Sequence, residues 1–301
     1  IFGYTSGLDY LTHNYINIDL DTIKSKFLSK TNLYCEKISK IISKKKMDII
    51  EIHNRPLILK KLNLLLKESK FIFYFHNDPL SMNGSKSVSE RLFILNNTKK
   101  IIFVSKWVQN RFFLDIDPKL KNKTDVVYPS ISKPKKNSKK KKEIYFVGRL
   151  NESKGYDLFR DTIVKILNRH PKWKAFSIGD EKRRSLYINH KNHFELGFLK
   201  HHEVISKLKN AEIVVIPSRW EEPFGRTALE AAANGCATIS SNRGGLPETS
   251  DYHYLLQKLD ANSLYRALSK LINNVGLRRK IQKNNFENIK HLINKNTKLI
   301  D

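Results

Sequence analysis

The sequence predicts an α/β protein built from two doubly wound parallel sheets. Short apolar runs alternate with segments whose apolar residues recur at helical spacing, as in strands joined by crossover helices. The alternation runs through two blocks, which a lysine-rich stretch at 133–142 separates. A chain of 301 residues is long enough for two domains. We therefore predict domains over residues 1–132 and 143–301, joined by a basic linker, with a binding cleft between them.

The first block alternates helix and strand after a weakly patterned opening, in which residues 1–4 favour a short strand. Residues 34–42 show helical spacing before the first long apolar run, and Ser105 is a candidate N-cap for a helix that continues to Phe113. Further strands are predicted at 47–52, 71–75, 101–104 and 125–128, and further helices at 57–67 and 87–96.

The second block repeats the same rhythm after the basic stretch. Strands are predicted at 143–147, 175–178, 193–196, 213–217 and 237–240, and helices at 156–168, 201–210, 226–234, 261–273 and 277–292. Gly235 is expected to end the third of these helices, and Asp260 is expected to cap the fourth. Both blocks therefore predict parallel sheets covered by helices.

The net charge of +27 invites comparison with proteins that bind nucleic acids or anionic membranes. Lysine, asparagine and isoleucine are all abundant, however, and biased codon usage can produce that pattern without a functional demand. The run at 133–142 contains no aromatic side chain on which bases could stack, so no nucleic-acid partner is expected. Two interpretations stay open for the run, a solvated linker and a contact with a membrane surface or other polyanion.

The two cysteines, Cys35 and Cys236, are far apart and lack the spacing of a metal site, which favours a reducing compartment. No uninterrupted apolar segment approaches the roughly 18 to 20 residues of a membrane span. The chain begins at Ile1 rather than at Met, so a preceding segment, including a signal peptide, is compatible with it.

The strongest candidate site follows the predicted strand at 213–217. A polar turn leads from this strand into the helix predicted at 226–234. In open α/β sheets, ligands bind at the carboxyl ends of strands, where the first N–H groups of the next helix can face an anion. Glu222 and Glu230 lie on either side of this opening, and Pro223, Phe224 and Gly225 are expected to line it. Because ionised carboxylates only accept hydrogen bonds, the pair suits the hydroxyl groups of a sugar.

The loop after the strand at 143–147 provides a second candidate. It contains Gly148 and Arg149, followed by Lys154 and Gly155. Glycine allows close approach of the backbone, and two cations at one point suit a diphosphate. In a lysine-rich protein the same residues also fit an ordinary basic surface turn, and only the nearby Glu222 turn favours the first interpretation.

In the first block His76 follows a predicted strand, and His53 follows another. Their spacing does not rank one above the other, and a structural histidine bonded to a loop carbonyl explains each equally well. The aspartate pairs at 19–21 and 115–117 have a spacing that can hold a divalent cation, but such pairs are also common at turns. We predict no metal site.

Several of these segments, taken in order, resemble the retaining glycosyltransferases of family 4. The match extends over about residues 143–273, and His76 and Ser105 resemble landmarks of that family's first domain. The resemblance implies a GT-B fold, with two facing Rossmann-like domains of which the second holds the nucleotide sugar. The matching segments are Gly148-Arg149-Leu150 with Lys154-Gly155, Pro217-Ser218, Glu222-Pro223-Phe224-Gly225 leading to Glu230, and Gly244-Gly245-Leu246-Pro247-Glu248.

The resemblance also implies roles for individual residues. Arg149 and Lys154 would hold the donor diphosphate, and Glu230 would accept hydrogen bonds from the ribose. Glu222 and His76 would face the donor sugar as the catalytic pair.

Three further residues would complete the donor site. The amides of Phe224, Gly225 and Arg226 would fix the sugar hydroxyls together with Glu222, and Thr227 would lie near the phosphates. The family implies reaction with retention of configuration and without an obligatory metal or other cofactor. Its favoured route is front-face attack, in which the leaving phosphate takes the acceptor proton.

Members of this family usually begin with a strand and a glycine-rich loop, which residues 1–20 do not contain. We therefore expect the chain to begin inside its first domain.

The resulting hypothesis is a bacterial hexosyltransferase that uses a UDP- or GDP-linked donor and a glycan or lipid acceptor in lipopolysaccharide or other envelope polysaccharide synthesis. It would be cytoplasmic or peripheral on the cytoplasmic face of a membrane. The alternatives are a non-catalytic polyanion- or membrane-binding protein on a GT-B scaffold, and a GT-B epimerase or phosphorylase.

Overall fold

The computed structural model describes residues 2–3, 16–18, 20, 29–45, 47–131, 139–181 and 186–297. The contacts within the chain divide it into two compact units. The first unit comprises Ile1–Val104 and Val108–Val126, and the second comprises Ser105–Trp107 and Val127–Asp301. Each unit is built around a parallel sheet.

In the first unit four parallel strands lie side by side in chain order, and a separate pair of short parallel strands precedes them. The strands are β1 (Phe2–Gly3), β2 (Ile16–Asn17), β3 (Ile49–His53), β4 (Lys70–Phe75), β5 (Lys100–Phe103) and β6 (Thr124–Val126). The helices are α1 (Lys30–Lys45), α2 (Pro56–Leu65), α3 (Val88–Asn96) and α4 (Lys106–Phe112), of which the first two residues of α4 are counted with the second unit.

Aromatic side chains from β4, β5 and α4 form the centre of the first unit's core. Phe73, Phe75, Phe103 and Phe112 are fully buried, and their neighbouring ring centroids lie 4.6 to 5.5 Å apart. Large rings of this kind bury much apolar area and pack best when tilted or offset. They fix the sheet under the loops that follow β3 and β4.

The second unit contains a sheet of six parallel strands in the order β12-β11-β10-β7-β8-β9. The strands are β7 (Lys141–Val147), β8 (Lys174–Ile178), β9 (His193–Glu195), β10 (Ala211–Ile216), β11 (Ala237–Ser241) and β12 (Tyr254–Leu256). The helices are α5 (Tyr156–Arg169), α6 (His201–Asn210), α7 (Arg226–Ala233), α8 (Ala261–Asn273) and α9 (Val275–Thr297).

Helices cover both faces of this six-stranded sheet. Successive side chains of a strand point to opposite faces, so a single strand can pack against the helices on both. Ile144 and Phe146 of β7 pack in the cluster formed with α5 and α8. Tyr145, between them, packs in the cluster formed with α6 and α7. Burial on both faces explains why these strands are nearly continuous apolar runs in the sequence.

The predicted parallel sheets and the order of the predicted elements are confirmed. The short strands β2 and β12 were not predicted, and the other differences lie at element ends. β7 begins at Lys141, so the last two residues assigned to the basic linker belong to a strand. β6 ends at Val126, and α9 extends from Val275 to Thr297, beyond the predicted 277–292. Asp117 caps a 3₁₀ turn by accepting from Lys119 N–H at 2.9 Å, whereas the aspartates at 19 and 21 lie outside the described residues.

No helix in the described part of the chain is both long enough and apolar enough to cross a membrane.

Candidate functional site

The strand order of the second unit reverses between β7 and β10. From β7 the chain moves outward through β8 and β9, then returns to β10 and continues on the other side through β11 and β12. The loops after β7 and β10 therefore leave the carboxyl edge of the sheet side by side. Open α/β sheets bind ligands at such a position.

The loop after β7 needs glycine at two positions. Gly148 has φ +151° and donates its N–H to Ile178 O at 2.9 Å. Gly155 has φ +73°, and a Cβ atom there would lie 2.0 Å from the carbonyl oxygen of Pro217. Between them Asn151 accepts a hydrogen bond from Lys154 N–H at 3.2 Å, which shapes a 3₁₀ turn. The loop consequently lies against the loop after β10 with no room for a side chain at Gly155.

Backbone and side-chain bonds join the two loops. The Ser153 carbonyl accepts from the N–H groups of Arg219 and Trp220, at 2.9 and 3.0 Å. The Arg219 guanidinium binds both carboxylate oxygens of Asp157 in α5, at 2.6 and 2.7 Å. This fork geometry is the strongest common form of ion pair in proteins. The loops after β7 and β10 therefore form one hydrogen-bonded surface at the carboxyl edge of the sheet.

Lys154 and Glu222 meet at the centre of this surface. Lys154 Nζ lies 2.5 Å from Glu222 Oε1, and Ser218 Oγ donates to the same oxygen at 3.0 Å. The side chains of Lys154 and Glu222 are 29% and 15% exposed, so a ligand can reach both. At this degree of burial, charges interact more strongly than they do in water. Ser218 is itself held by Ser241 Oγ, which donates to its carbonyl at 2.7 Å.

The turn after β11 contacts the backbone of Glu222. Gly245 donates its N–H to the Glu222 carbonyl at 2.6 Å. A Cβ atom at Gly244 would lie 2.1 Å from that carbonyl oxygen, and one at Gly245 would lie 2.4 Å from the oxygen of Pro223. The two glycines therefore allow a backbone approach that fixes the position of the Glu222 turn.

Glu230 is nearly buried in α7 and has different basic partners. Its Oε1 lies 3.0 Å from His201 Nε2 and 3.4 Å from a guanidinium nitrogen of Arg226. His201 is exposed at the start of α6, so it can move away from Glu230 when a ligand arrives. The two predicted carboxylates thus belong to separate polar groups of the same unit.

The remaining predicted donor residues differ in what they offer. Arg149 is exposed, and within the described residues its guanidinium makes no hydrogen bond or ion pair. Phe224 is only 3% exposed, so its ring does not line the opening as expected. Gly225 has φ +104° and lies against Leu246, while Thr227 is half-buried in the first turn of α7.

Glu248, at the end of the glycine-glycine motif, has a structural contact that the sequence does not reveal. Its carboxylate accepts from the N–H groups of Lys106 and Trp107, both at 2.7 Å, and from the Tyr128 hydroxyl at 3.0 Å. Ser105 Oγ donates to the Pro223 carbonyl at 2.6 Å. These bonds explain why Ser105–Trp107 is counted with the second unit.

His76 lies in the first unit, at the end of β4. Its Nε2 is 2.9 Å from His53 Nδ1, and its N–H donates to Asn54 Oδ1 at 2.8 Å. Burial, followed by the nearby His53, lowers the pKa of His76. The two histidines that the sequence could not rank therefore form one hydrogen-bonded pair, and the catalytic role of His76 stays a prediction. Within the described residues no cluster of histidine, cysteine and carboxylate side chains is suited to a metal ion.

The comparison with protein families gives a match over residues 128–288, more than half of the chain, to the glycosyl transferases group 1. The chain belongs to this family. Spore coat protein SA of Bacillus subtilis is 25% identical over 251 residues, which are 71% of this chain and 65% of that protein. Putative glycosyltransferase YtcC of the same organism is 25% identical over 297 residues, which are 86% of this chain and 72% of that protein.

Solved glycosyltransferase structures share the fold. A glycosyltransferase of Rickettsia africae has a TM-score of 0.75 at 20% identity, covering 95% of this chain and 83% of that one. Sucrose-phosphate synthase of Thermosynechococcus elongatus has a TM-score of 0.72 at 18% identity, covering 96% and 82%. Anabaena HepE, solved in complex with UDP, has a TM-score of 0.71 at 17% identity, covering 89% and 80%. The predicted GT-B fold is confirmed.

Sequence reasoning missed two residues that hold the predicted site. Ser218 was part of a matching segment but had no role, and it binds the carboxylate of Glu222. His201 was predicted only as the first residue of a helix, and its Nε2 lies 3.0 Å from Glu230 Oε1. His201 precedes Glu230 by 29 positions, and no local pattern links a helix start to a side chain in the next helix.

Proposed function

We propose that this chain is a retaining glycosyltransferase that moves a hexose from a nucleotide diphosphate sugar to a hydroxyl group of an acceptor. One observation carries the proposal, the contact of Lys154 with Glu222 where the strand order reverses. It brings a cation, which suits a diphosphate, together with a carboxylate, which suits sugar hydroxyls.

In this proposal Arg149 and Lys154 hold the diphosphate. The Lys154 ammonium has three N–H donors, so it can keep Glu222 as a partner while it binds a phosphate oxygen. Arg149 is exposed and can turn toward the same group. Negative charge grows on the leaving diphosphate as the glycosidic bond breaks, and two positioned cations stabilise that charge.

The carboxylates would hold hydroxyl groups of the donor. Glu222 accepts from the hexose, with the backbone amides of Phe224, Gly225 and Arg226 alongside. Glu230 accepts from the ribose once His201 moves aside, and Thr227 lies near the phosphates. We assign His76 to the sugar as well, on the family resemblance alone.

The proposed reaction forms a bond between the acceptor oxygen and the anomeric carbon as the bond from that carbon to the diphosphate oxygen breaks. The acceptor proton passes to the departing phosphate oxygen, so no protein base is required. Attack on the face that the diphosphate leaves retains the configuration. We propose that no metal is needed, which turnover in the presence of a chelator would test.

The proposed donor base comes from a solved structure of similar fold, and the proposed acceptor from the charge of the chain. HepE was solved with UDP and with UDP-glucose, which favours a UDP-linked hexose as the first donor to test. The net charge of +27 favours an acceptor on an anionic surface, such as a lipid-linked or lipopolysaccharide glycan at the cytoplasmic face of a membrane.

The test is release of UDP from UDP-glucose. Lys154→Ala and Glu222→Gln are each expected to lower kcat/KM at least about 100-fold, because each removes charge from the reacting centre. Lys172→Ala is the control, since Lys172 is exposed in the turn before β8, away from the carboxyl edge. Unchanged turnover in both site variants would refute the assigned roles, and dependence of turnover on inorganic phosphate would indicate a phosphorylase.

A further inference from the structure

A cavity of about 580 Å³ opens at the carboxyl ends of β3 and β4. Its walls come from the turn after β3, the first turn of α2, the start of α1 and the segment 77–83. All of its described lining residues belong to the first unit. The volume lies within the roughly 300 to 1,000 Å³ that is typical of small-molecule sites. The first unit thus has a ligand-sized site of its own.

The cavity lining combines neutral polar groups with an apolar wall. Asn54, Asn77, Asn83, Thr31 and Tyr34 line the cavity together with apolar residues at the start of α2. The Tyr34 hydroxyl donates to the Phe2 carbonyl at 3.0 Å and can still accept a hydrogen bond. Amides and hydroxyls both donate and accept hydrogen bonds, as sugar hydroxyl groups do. This combination suits a polyhydroxylated ring, whose carbon face can pack on the apolar wall.

Arg55 adds a positive charge to this lining. Its backbone is fixed, because its carbonyl accepts from the N–H groups of Ile58 and Leu59 at 3.0 and 3.2 Å. Its side chain is exposed and makes no ion pair within the described residues. No aspartate or glutamate occurs among the described lining residues. A guanidinium without a protein counter-ion, beside neutral amides, favours an anionic ligand.

His76, beside this cavity, does not compete for the anion at neutral pH. Burial and His53 lower the pKa of His76, so the His76 ring is uncharged there. Asn54, with φ +54°, accepts the His76 N–H through Oδ1, which leaves its amide NH₂ group as a donor. Arg55 is therefore the permanent charge of the cavity, with a fixed amide next to it.

We propose that this cavity binds a sugar residue carrying an anionic group, with Arg55 on the anion and the amides of Asn54 and Asn77 on ring hydroxyls. The anion is a carboxylate or a phosphate, which share the two-oxygen geometry that a guanidinium matches. This sugar is the acceptor if the proposed function is correct, whereas its binding depends on the cavity alone.

The experiment measures affinities of the chain by calorimetry for D-glucuronate, D-glucose 6-phosphate, D-glucose and inorganic phosphate. At least one charged sugar is expected to bind about tenfold or more tightly than both glucose and phosphate, because it satisfies the cation and the amides together. The two charged sugars distinguish a carboxylate from a phosphate as the favoured anion.

Arg55→Gln is expected to abolish the preference for the charged sugar. Lys60→Gln is the matched control, because Lys60 is exposed in the same helix and does not line the cavity. Both variants should keep the wild-type circular dichroism spectrum. UDP should bind Arg55→Gln as tightly as the wild type, which tests the donor site separately.

The cavity proposal is overturned if glucose or inorganic phosphate binds as tightly as the charged sugars, or if the preference survives Arg55→Gln. It is also overturned if Lys60→Gln abolishes the preference, because the preference would then depend on the overall charge of the chain rather than on Arg55. If the wild type does not bind UDP but still prefers the charged sugar, the donor assignment is rejected and the cavity proposal is supported.

Discussion

The two sheets present different carboxyl edges. In the second unit the loops are bonded to one another, through Ser153 to Arg219, Lys154 to Glu222 and Gly245 to Glu222. In the first unit the corresponding edge holds an open cavity of about 580 Å³, and its guanidinium is unpaired within the described residues. Both edges belong to parallel sheets, so the strand arrangement alone does not decide which form results.

The difference indicates two strategies for binding. Polar groups that are already bonded in the second unit are positioned before a ligand arrives, which would lower the reorganisation needed at the proposed reacting centre. The cavity of the first unit instead offers space and an uncompensated charge, which suits selection among ligands. We expect substitutions at the bonded edge to cost more than substitutions at the open one.

The largest effect is expected at Gly155. In Gly155→Ala the new Cβ atom would lie 2.0 Å from the Pro217 oxygen at φ +73°, and backbone atoms there have little freedom to move. We expect a loss of at least about 3 kcal/mol in the free energy of unfolding, measured by urea titration. All three tryptophans belong to the second unit, so their fluorescence reports its unfolding.

Two glycine variants serve as controls for this measurement. Gly197→Ala has a comparable φ of +63° but nothing within 4 Å of the added atom, so it should cost only about 1 kcal/mol. Gly84→Ala, in the first unit, meets only side chains, at 3.0 Å, and should not shift the tryptophan transition. Equal losses in the free energy of unfolding for Gly155→Ala and Gly197→Ala would show that the loops after β7 and β10 can move apart at little cost.

An intermediate effect is expected from pH. Burial lowers the pKa of His253 in the second unit from 6.5 to about 4. Between these values the unfolded chain binds a proton that the folded one does not, so the free energy of unfolding falls as the pH drops. The expected loss is roughly 1.4 kcal/mol per pH unit, or about 2 kcal/mol between pH 6.5 and pH 5.

In His253→Asn the free energy of unfolding should fall less steeply as the pH drops, whatever the stability of the variant at pH 7. Urea titrations followed by tryptophan fluorescence at several pH values measure this slope. Partial burial also lowers the pKa of His193 to about 4, so part of the acid sensitivity will persist in that variant. Exposed His202 provides the control, because His202→Asn should leave the slope unchanged. An identical slope in wild type and His253→Asn would contradict the burial effect.

The smallest effect is expected at Ser218. Ser218→Ala removes the hydroxyl that donates to Glu222 at 3.0 Å but leaves the ion pair with Lys154. We expect kcat/KM for UDP-glucose to fall by about three- to tenfold, the value of one ordinary hydrogen bond, because the ion pair with Lys154 still positions Glu222. Ser206→Ala, at an exposed position of α6, is the control. A loss as large as that of Glu222→Gln would mean that Ser218 itself contacts the substrate.

The fold could be predicted largely from sequence, because strand and helix periodicity are local properties of the chain. β10 and α7 are examples, since an apolar run, a polar turn and a helix ended by Gly235 are legible in order. Element ends were less accurate. Lys141 and Lys142 resemble a solvated linker by composition, but both lie in β7, where Lys141 pairs with Ala211 of β10. Backbone pairing of this kind does not depend on side-chain charge.

The site was predictable in part. Gly155 and Gly244 lie at close backbone approaches, and Gly148 adopts a φ of +151°. Only glycine is free of strain at such positions, so these residues could be singled out in the sequence. The partners of the charged residues were not predictable. Phe224 was expected at the opening, but its ring packs against Tyr128 with centroids 5.5 Å apart. Nothing in the order of residues indicates which side of a turn faces the core.

The sequence by itself thus determined the two α/β blocks, the glycine-rich loops and the residue types of the proposed donor site. Tertiary structure alone decided that Lys154 binds Glu222, 68 positions away, and that His53 binds His76. It also decided that the first unit contains a cavity with Arg55 at its wall. The physical reason is that periodicity and backbone strain act between near neighbours in the chain. Charge pairing and empty volume depend on which strand ends the sheet order brings together.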